Sequence, residues 1–212
     1  MKQNLIVSIV MLALTGCTTV KARVSSFHNL PAQPSGLTFA IVPYQWQNGS
    51  LEFQTYANII NAQLQGKGFV AAPIEQAQYI VFLAYAIDSG RQVSYSYPII
   101  GQTGVSSSHT SGTVQTYGNT GSYAGATTYN PTYGVVGVGQ GSRTEYTSGV
   151  RLDVLDKSAL AAGRVRKVYE GEVIGSGKTG ELPTVMPTLL KALFADFPGK
   201  SGQSETVTLR LE

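Results

Sequence analysis

The stretch Tyr79-Ile80-Val81-Phe82-Leu83-Ala84-Tyr85-Ala86-Ile87 carries no charged side chain. Successive side chains of a strand point to opposite faces of a sheet, and here both the odd-numbered and the even-numbered positions are apolar. A strand with two apolar faces is covered on both sides. Residues 79–87 are therefore predicted to form a central strand.

Other strands are predicted before and after this segment. Residues 37–42 form a short apolar run, and residues 20–25 alternate in the manner of a short edge strand. Residues 143–154 alternate cleanly, and residues 165–174 supply the matching arm of a hairpin. The alternation over residues 206–211 predicts a last strand that returns to the sheet.

Two helices are predicted from apolar residues at helical spacing. The first follows Ser50, a good N-cap, and presents Phe53, Ile60 and Leu64 on one face. The second has a wide apolar stripe between Leu182 and Phe194. Pro187 lies inside that stripe and would cost a hydrogen bond there, so this helix is expected to start later than its pattern.

The order of these elements predicts an α+β fold: a largely antiparallel sheet with two helices packed on one face. The chain then divides into three parts. Residues 1–16 form a leader, and residues 17–36 contain a lipidated cysteine, an edge strand and a loop. Residues 37–212 form a single α+β domain. A long Gly/Ser/Thr/Tyr-rich insertion interrupts that domain at about residues 89–142.

The leader ends in Leu14-Thr15-Gly16-Cys17, which contains the only cysteine of the chain. Lys2 and an apolar run from Leu5 to Leu14 precede it, and that run is too short for a membrane span of about 20 residues. The segment resembles the lipobox of bacterial lipoproteins. The resemblance implies removal of residues 1–16 and acylation of Cys17, and Thr18 in place of Asp implies export to the outer membrane. We expect the domain to face the periplasm, although the sequence does not distinguish this from a surface orientation.

An unmodified Cys17 in an ordinary helix is the alternative, but residues 18–21 do not continue an apolar periodicity. Loss of Lys2 with the leader lowers the formal charge from +3 to +2. This near-neutral balance and the export signal both argue against nucleic-acid binding. Acylation of Cys17 would leave no thiol for disulfides, catalysis or metal binding. No cofactor is expected apart from the covalent lipid.

The mature sequence is similar to the lipoprotein family catalogued as a domain of unknown function, number forty-one thirty-six. The similarity rests on segments spread along the chain, namely Thr38-Phe39-Ala40, Ala57 through Leu64 to Gly68-Phe69, Ala77-Gln78-Tyr79-Ile80-Val81, Asp153, Glu170-Gly171 and Phe197-Pro198. It implies an envelope lipoprotein, and it implies no catalytic residue.

The insertion has an unusual composition. Of the 60 residues 89–148, 38 are Gly, Ser, Thr or Tyr, and residues 98–141 are expected to form an extended tip. That tip is either a passive, flexible insertion or an adhesive surface whose tyrosine rings stack on sugars or protein. The candidate contact residues are Tyr117, Tyr123, Tyr129 and Tyr133.

Catalytic and nucleotide-binding patterns are sparse. The two histidines, His28 and His109, both fall in predicted loops, and no metal site is expected from them. Asp153 and Asp156 are predicted to lie on opposite faces and to cap turns. The sequence Gly175-Ser176-Gly177-Lys178-Thr179 imitates the end of a phosphate-binding loop, but it lacks the first glycine and is followed by Gly180 instead of a helix.

Two function classes stay open. The first is a non-enzymatic, lipid-anchored binding or assembly module for an envelope protein, peptidoglycan or polysaccharide. The second is an envelope hydrolase whose carboxylates, Asp88, Asp153 or Glu170, meet only in the folded chain. An enclosed polar pocket that holds one of these carboxylates would favour the hydrolase.

Overall fold

A computed structural model describes residues 19–31 and 34–211. The predicted leader and Cys17 lie outside these residues. The chain divides into two compact units, one formed by residues up to Arg91 and from Glu145 onward, and the other by Gln92–Thr144. The first unit is described here, and the second is described in the next subsection.

The described chain contains eight strands and three α-helices. Their bounds are β1 Thr19–His28, β2 Thr38–Ile41, α1 Leu51–Gly66, β3 Val70–Ala71, β4 Tyr79–Ile87, β5 Arg91–Tyr117, β6 Thr120–Asp156, α2 Lys157–Ala161, β7 Lys167–Gly177, α3 Leu182–Ala195 and β8 Gln203–Arg210. A short 3-10 turn, Gln45–Gln47, precedes α1.

The strands form one mixed sheet in the order β3-β2-β4-β6-β7-β1-β8, and β5 pairs with β6. The pairs formed by β2 with β3 and with β4 are parallel, because α1 carries the chain from β2 to β3. The pairs of β4 with β6, β6 with β7, and β1 with β7 and β8 are antiparallel. The prediction of an α+β fold with a mostly antiparallel sheet is confirmed.

Strand β4 lies inside the sheet, between β2 and β6, as its sequence predicts. Val81 pairs with Val154 and Leu83 pairs with Leu152, and the side chains of Val81 and Leu83 are fully buried. On its other face Phe82 is only half-buried and Ala86 is exposed. One face of β4 therefore belongs to the core, and the other is covered in part.

The prediction of an edge strand near the amino terminus is wrong. Strand β1 pairs with β7 on one side and with β8 on the other, so β8 forms the edge. The alternation of residues 20–25 is explained by burial on one face, where Val20 and Ala22 are buried. The return of the carboxyl-terminal strand onto β1 is a long-range pairing that a local pattern does not reveal.

Helix α1 begins and ends where its sequence indicates. The Ser50 hydroxyl oxygen accepts a hydrogen bond from the Phe53 amide at 3.1 Å, which caps the first turn. At the other end Gly68 has a φ of +94°, a left-handed conformation that glycine adopts without strain. Ile60 and Leu64 on the apolar face of α1 are fully buried.

Helix α3 begins at Leu182, earlier than the position of Pro187 suggests. Pro183 lies in the first turn, where a missing N–H costs nothing, but Pro187 lies inside the helix and cannot bond to the carbonyl of residue 183. Burial compensates for that loss, because Leu189, Leu190 and six other side chains of this helix are buried. The helix contacts β1, β7, β8 and α1.

We predict that Ile60→Ala and Leu189→Ala each lower the free energy of unfolding by about 2–5 kcal/mol. Both side chains are fully buried in one core cluster, so truncation removes apolar contacts and leaves a cavity. Leu51→Ala is the matched control, because the Leu51 side chain is 77% exposed. Urea unfolding measures all three, and a control as destabilised as the core variants would contradict this core.

Candidate functional site

The second unit, Gln92–Thr144, is an antiparallel two-stranded hairpin, called the ribbon below. Its arms belong to β5 and β6, and its turn consists of Gly118 and Asn119. Gly118 has a φ of +57°, as the first residue of a tight hairpin turn requires. At about 3.3 Å per residue, arms of this length span roughly 80 Å.

Strand structure continues through residues 98–141, where the sequence predicts an extended tip. Polar side chains join the two arms, in the hydroxyl pairs Thr110–Thr127 at 2.8 Å and Thr103–Thr132 at 3.2 Å and in the bond from Asn130 to Ser107 at 2.9 Å. Cross-strand hydroxyl pairs of this kind stabilise a ladder without apolar burial. A prediction based on apolar content alone misses them.

Tyrosine and glycine residues are partners in this ribbon. The ring of Tyr97 fills the space beside Gly139, and the ring of Tyr95 does the same beside Gly141. The ring of Tyr123 covers Gly112. A side chain at these glycines would collide with the rings, which explains why the two residue types occur together. Tyr95 and Tyr97 therefore belong to the ribbon. Their alternation with residues 91 and 93 predicts a strand here, but they are not among the predicted contact residues.

The four predicted contact tyrosines are all exposed, with 85% for Tyr117, 62% for Tyr123, 61% for Tyr129 and 69% for Tyr133. Tyr123, Tyr129 and Tyr133 are separated by even numbers of residues along β6, so they share one face. Tyr117 lies opposite Thr120 across the turn and therefore on the other face. The structure thus groups three of the four, called the tyrosine face below.

The ribbon has no charged residue over most of its length. Residues 92–142 contain no Asp, Glu, Lys or Arg, and Arg143 is stacked over the Tyr95 ring at 5.7 Å. Several β-branched side chains are exposed in the same region. They include Ile100 at 62%, Val114 at 67%, Val135 at 60% and Val138 at 68%. An uncharged surface with exposed apolar side chains is typical of a protein contact.

The carboxylates of the hydrolase hypothesis are not assembled into a site. Asp88 is exposed and accepts hydrogen bonds from the amides of Thr147 and Gly90, at 2.9 and 3.0 Å. These bonds, with that of Thr147 first, lower the pKa of Asp88. Asp153 lies six residues along β6 from Thr147, roughly 20 Å away at strand spacing.

Asp153 and Glu170 form an ion-pair network in the first unit. The Lys167 ammonium lies 3.0 Å from Asp153 and 3.4 Å from Glu170, and the Arg151 guanidinium contacts both carboxylates. The prediction that Asp153 caps a turn is wrong, because its carboxylate is buried among these cations. Both carboxylates therefore have cationic partners within the first unit.

Asp156 does cap a turn, as predicted. Its carboxylate accepts hydrogen bonds from the Ser158 hydroxyl at 2.6 Å and from the Ala159 amide at 3.1 Å, at the start of α2. These bonds, the Ser158 bond first, lower the pKa of Asp156. The carboxylate is thus an N-cap for a short helix.

The histidines do not form a metal site in the described chain. His28 ends β1, and its Nε2 bonds to the Gly199 carbonyl at 3.0 Å while its ring stacks on Tyr169. His109 lies in β5, in the other unit. No group of three or more His, Cys, Asp or Glu side chains within residues 19–31 and 34–211 is arranged to hold a metal ion.

A cavity of about 330 Å³ lies beside the end of α3 in the first unit. Tyr169, Leu193, Asp196 and Glu205 line it. Burial raises the pKa of the Tyr169 hydroxyl, so this group stays protonated at neutral pH. None of the three carboxylates of the hydrolase hypothesis lines this cavity, so the cavity gives that hypothesis no support.

The segment that imitates a phosphate-binding loop is part of a strand. Gly175 and Gly177 lie in β7, and α3 begins only at Leu182. A side chain at Gly175 would collide with Leu189 and Val20, so this glycine allows α3 and β1 to approach the strand. The segment has no helix N-terminus to bind phosphate.

The first unit and the ribbon define an α+β protein with a mixed eight-stranded sheet and a long hairpin that has no Asp, Glu, Lys or Arg at residues 92–142. Comparison with known proteins places the chain more closely: residues 24–199 match the family described as "Domain of unknown function (DUF4136)", and the chain belongs to that family. No curated protein matches the sequence. Within the described residues, no helix is long and apolar enough to cross a membrane.

One solved structure is similar over 91% of the chain, with 12% sequence identity and a TM-score of 0.45. It is a PDZ domain protein from Parabacteroides distasonis, and the match covers 40% of that protein.

Proposed function

We propose that this protein is a non-enzymatic binding or assembly module, anchored at the periplasmic side of the outer membrane by lipid on Cys17. The observation that carries the binding role is the tyrosine face: three exposed rings on one side of an uncharged ribbon. Tyrosine presents a large amphipathic ring with few rotamers to lose on binding.

The first unit supports this role as a scaffold. We propose that α1 and α3 pack on the same face of the sheet, which would place the ion-pair network of Asp153, Lys167 and Glu170 on the face turned away from them. The carboxylates there are paired with cations of the same sheet. The ribbon would then be the part of the protein that recognises the partner.

The proposed occupant of the tyrosine face is an envelope protein, peptidoglycan or another polysaccharide. Rings spaced along one strand suit a repeating ligand or an extended chain, because each ring can stack on one apolar face of the partner. A partner held this way would bind with little dependence on salt, since residues 92–142 carry no charge to be screened.

The anchor is tested by Cys17→Ser in cells supplied with labelled palmitate. We expect the parent chain to carry the label and to lack residues 1–16, and the variant to carry no label and to keep the leader, because the thiol is the acceptor of the lipid. The hydroxyl that replaces the thiol in this variant cannot form the thioether. Label on the variant, or an unlabelled parent with an intact leader, would refute the anchor.

The binding role is tested by a photoreactive phenylalanine analogue placed singly at Tyr129, Tyr133 or Tyr117 in the full chain in cells. We expect adducts with an envelope component at Tyr129 and Tyr133. Tyr117 is the matched control, because it is exposed but lies on the opposite face. Adduct yields at Tyr117 equal to those at the other two positions, or no adduct with another molecule at any position, would contradict a specific tyrosine face.

The same surface is tested by the double variant Tyr129→Ser with Tyr133→Ser. Tyr123 is kept, because its ring covers Gly112 and helps to hold the ribbon together. Recovery of the crosslinked component through the parent chain should fall in this variant, and it should persist in Tyr117→Ser. If the double variant still binds the component, the contact lies on another part of the protein.

A further inference from the structure

We propose that two copies of this chain pair through the outer edge of β5, so that two ribbons form one four-stranded antiparallel sheet. This inference goes beyond the proposed function, because it concerns the backbone edge of the ribbon and not its tyrosine rings.

The ribbon is a two-stranded structure with two open edges. In the described chain, β5 pairs with β6 and with no other strand, and the arm of β6 from Thr120 to Thr144 has only β5 as its partner. A two-stranded hairpin is marginally stable in water, and a third strand or a packed face is needed for independent stability. The ribbon is roughly 80 Å long and carries exposed apolar side chains. Strands from a partner could therefore add to it and stabilise it.

The backbone groups on the open edge of β5 can be assigned from the turn. Tyr117 and Thr120 flank the two-residue turn and so form a hydrogen-bonded pair, which directs the odd-numbered amides of β5 toward β6. The Thr110–Thr127 and Ser107–Asn130 contacts keep the same register. The even-numbered amides, those of Ser108 and Thr110 among them, therefore point outward.

The two edges differ in their proline content. Pro131 lies at an odd-numbered position of β6, on the outward side of that arm, and it has no N–H to donate. Residues 99–117 of β5 contain no proline and no charged residue. Natural sheets protect open edges with charges, prolines or short strands, and this edge has none of these over a length well above that of an average strand.

The missing charges also favour a second copy of this chain as the occupant. A foreign strand is usually selected by complementary charges, but residues 92–142 present none to complement. Two identical uncharged edges of equal length meet without repulsion, and a two-fold axis makes the contact self-complementary. A two-fold axis perpendicular to the sheet also places the tyrosine faces of both copies on one side, as a doubled contact surface.

The test uses two full-length copies with different tags, expressed together in cells and recovered through one tag after detergent extraction. We expect the second copy to be recovered with the parent chain, and the recovery to fall about tenfold for Ser108→Pro, because the proline removes an outward N–H and obstructs the edge. Gly121→Pro is the matched control, since it alters the outward edge of β6 outside the tyrosine face, and it should leave the recovery unchanged. No recovery of the parent copy, or an equal loss in both variants, would overturn the proposal.

Disulfide trapping tests the edge without a proline. Single cysteines placed in turn at every position from Gln102 to Thr116 should give oxidised dimers at one position and its neighbours, where the two-fold axis crosses β5. Single cysteines at positions of β6 from Gly121 to Tyr133 serve as controls and should give none. Dimers from the β6 series alone, from neither series, or equally from both would overturn pairing through β5.

The two proposals fail separately. Tyr129→Ser with Tyr133→Ser should abolish recovery of the envelope component and leave the paired copies intact. Ser108→Pro should separate the copies, and each copy keeps its own tyrosine face. The parent chain without an added cysteine is the control for disulfides formed through Cys17. Lipidation of Cys17 would prevent such disulfides.

Discussion

The pairing of β6 is the constraint on which the structure depends. Its carboxyl-terminal part pairs with β4 on one side and β7 on the other, and its amino-terminal part pairs with β5 in the ribbon. A backbone N–H or C=O that is buried without a partner costs free energy comparable to a lost hydrogen bond. The buried backbone N–H and C=O groups of β6 are bonded to its two neighbours in the sheet. In the ribbon, β6 has a neighbour on one side only, so its other edge is open. Part of the buried core and one arm of the exposed ribbon thus belong to the same strand.

Much of the first unit could be predicted because its signals are local. The apolar faces of β4, the Ser50 cap and the stripe on α3 each occupy a short stretch of sequence, and burial in the core follows from them. The position of β1 could not be predicted in this way, because β8, from the other end of the chain, covers it. The parallel pairing of β2 with β4 is also a long-range feature.

The ribbon shows a second limit of sequence patterns. Its composition indicates a tip with little to bury, whereas its order rests on paired hydroxyls and on tyrosine rings lying over glycines such as Gly139 and Gly141. A two-residue spacing of Tyr and Gly on the two arms, Tyr95 and Tyr97 against Gly139 and Gly141, is the signal that could have revealed it. The ion pairs of Asp153 could not be predicted from a local pattern either. Their cations, Lys167 and Arg151, come from two strands that meet only in the sheet.

We propose that the first unit folds without the ribbon and that the ribbon binds the envelope component. The most direct measurement compares thermal unfolding and envelope-component recovery between the parent and a chain in which residues 98–138 are replaced by Asn-Gly. Tyr97 and Gly139 are in contact across the two arms, so they can flank such a turn. We expect a cooperative transition close to that of the parent together with loss of the envelope component. A shortened chain that fails to fold, or one that folds and still recovers the component, would contradict it.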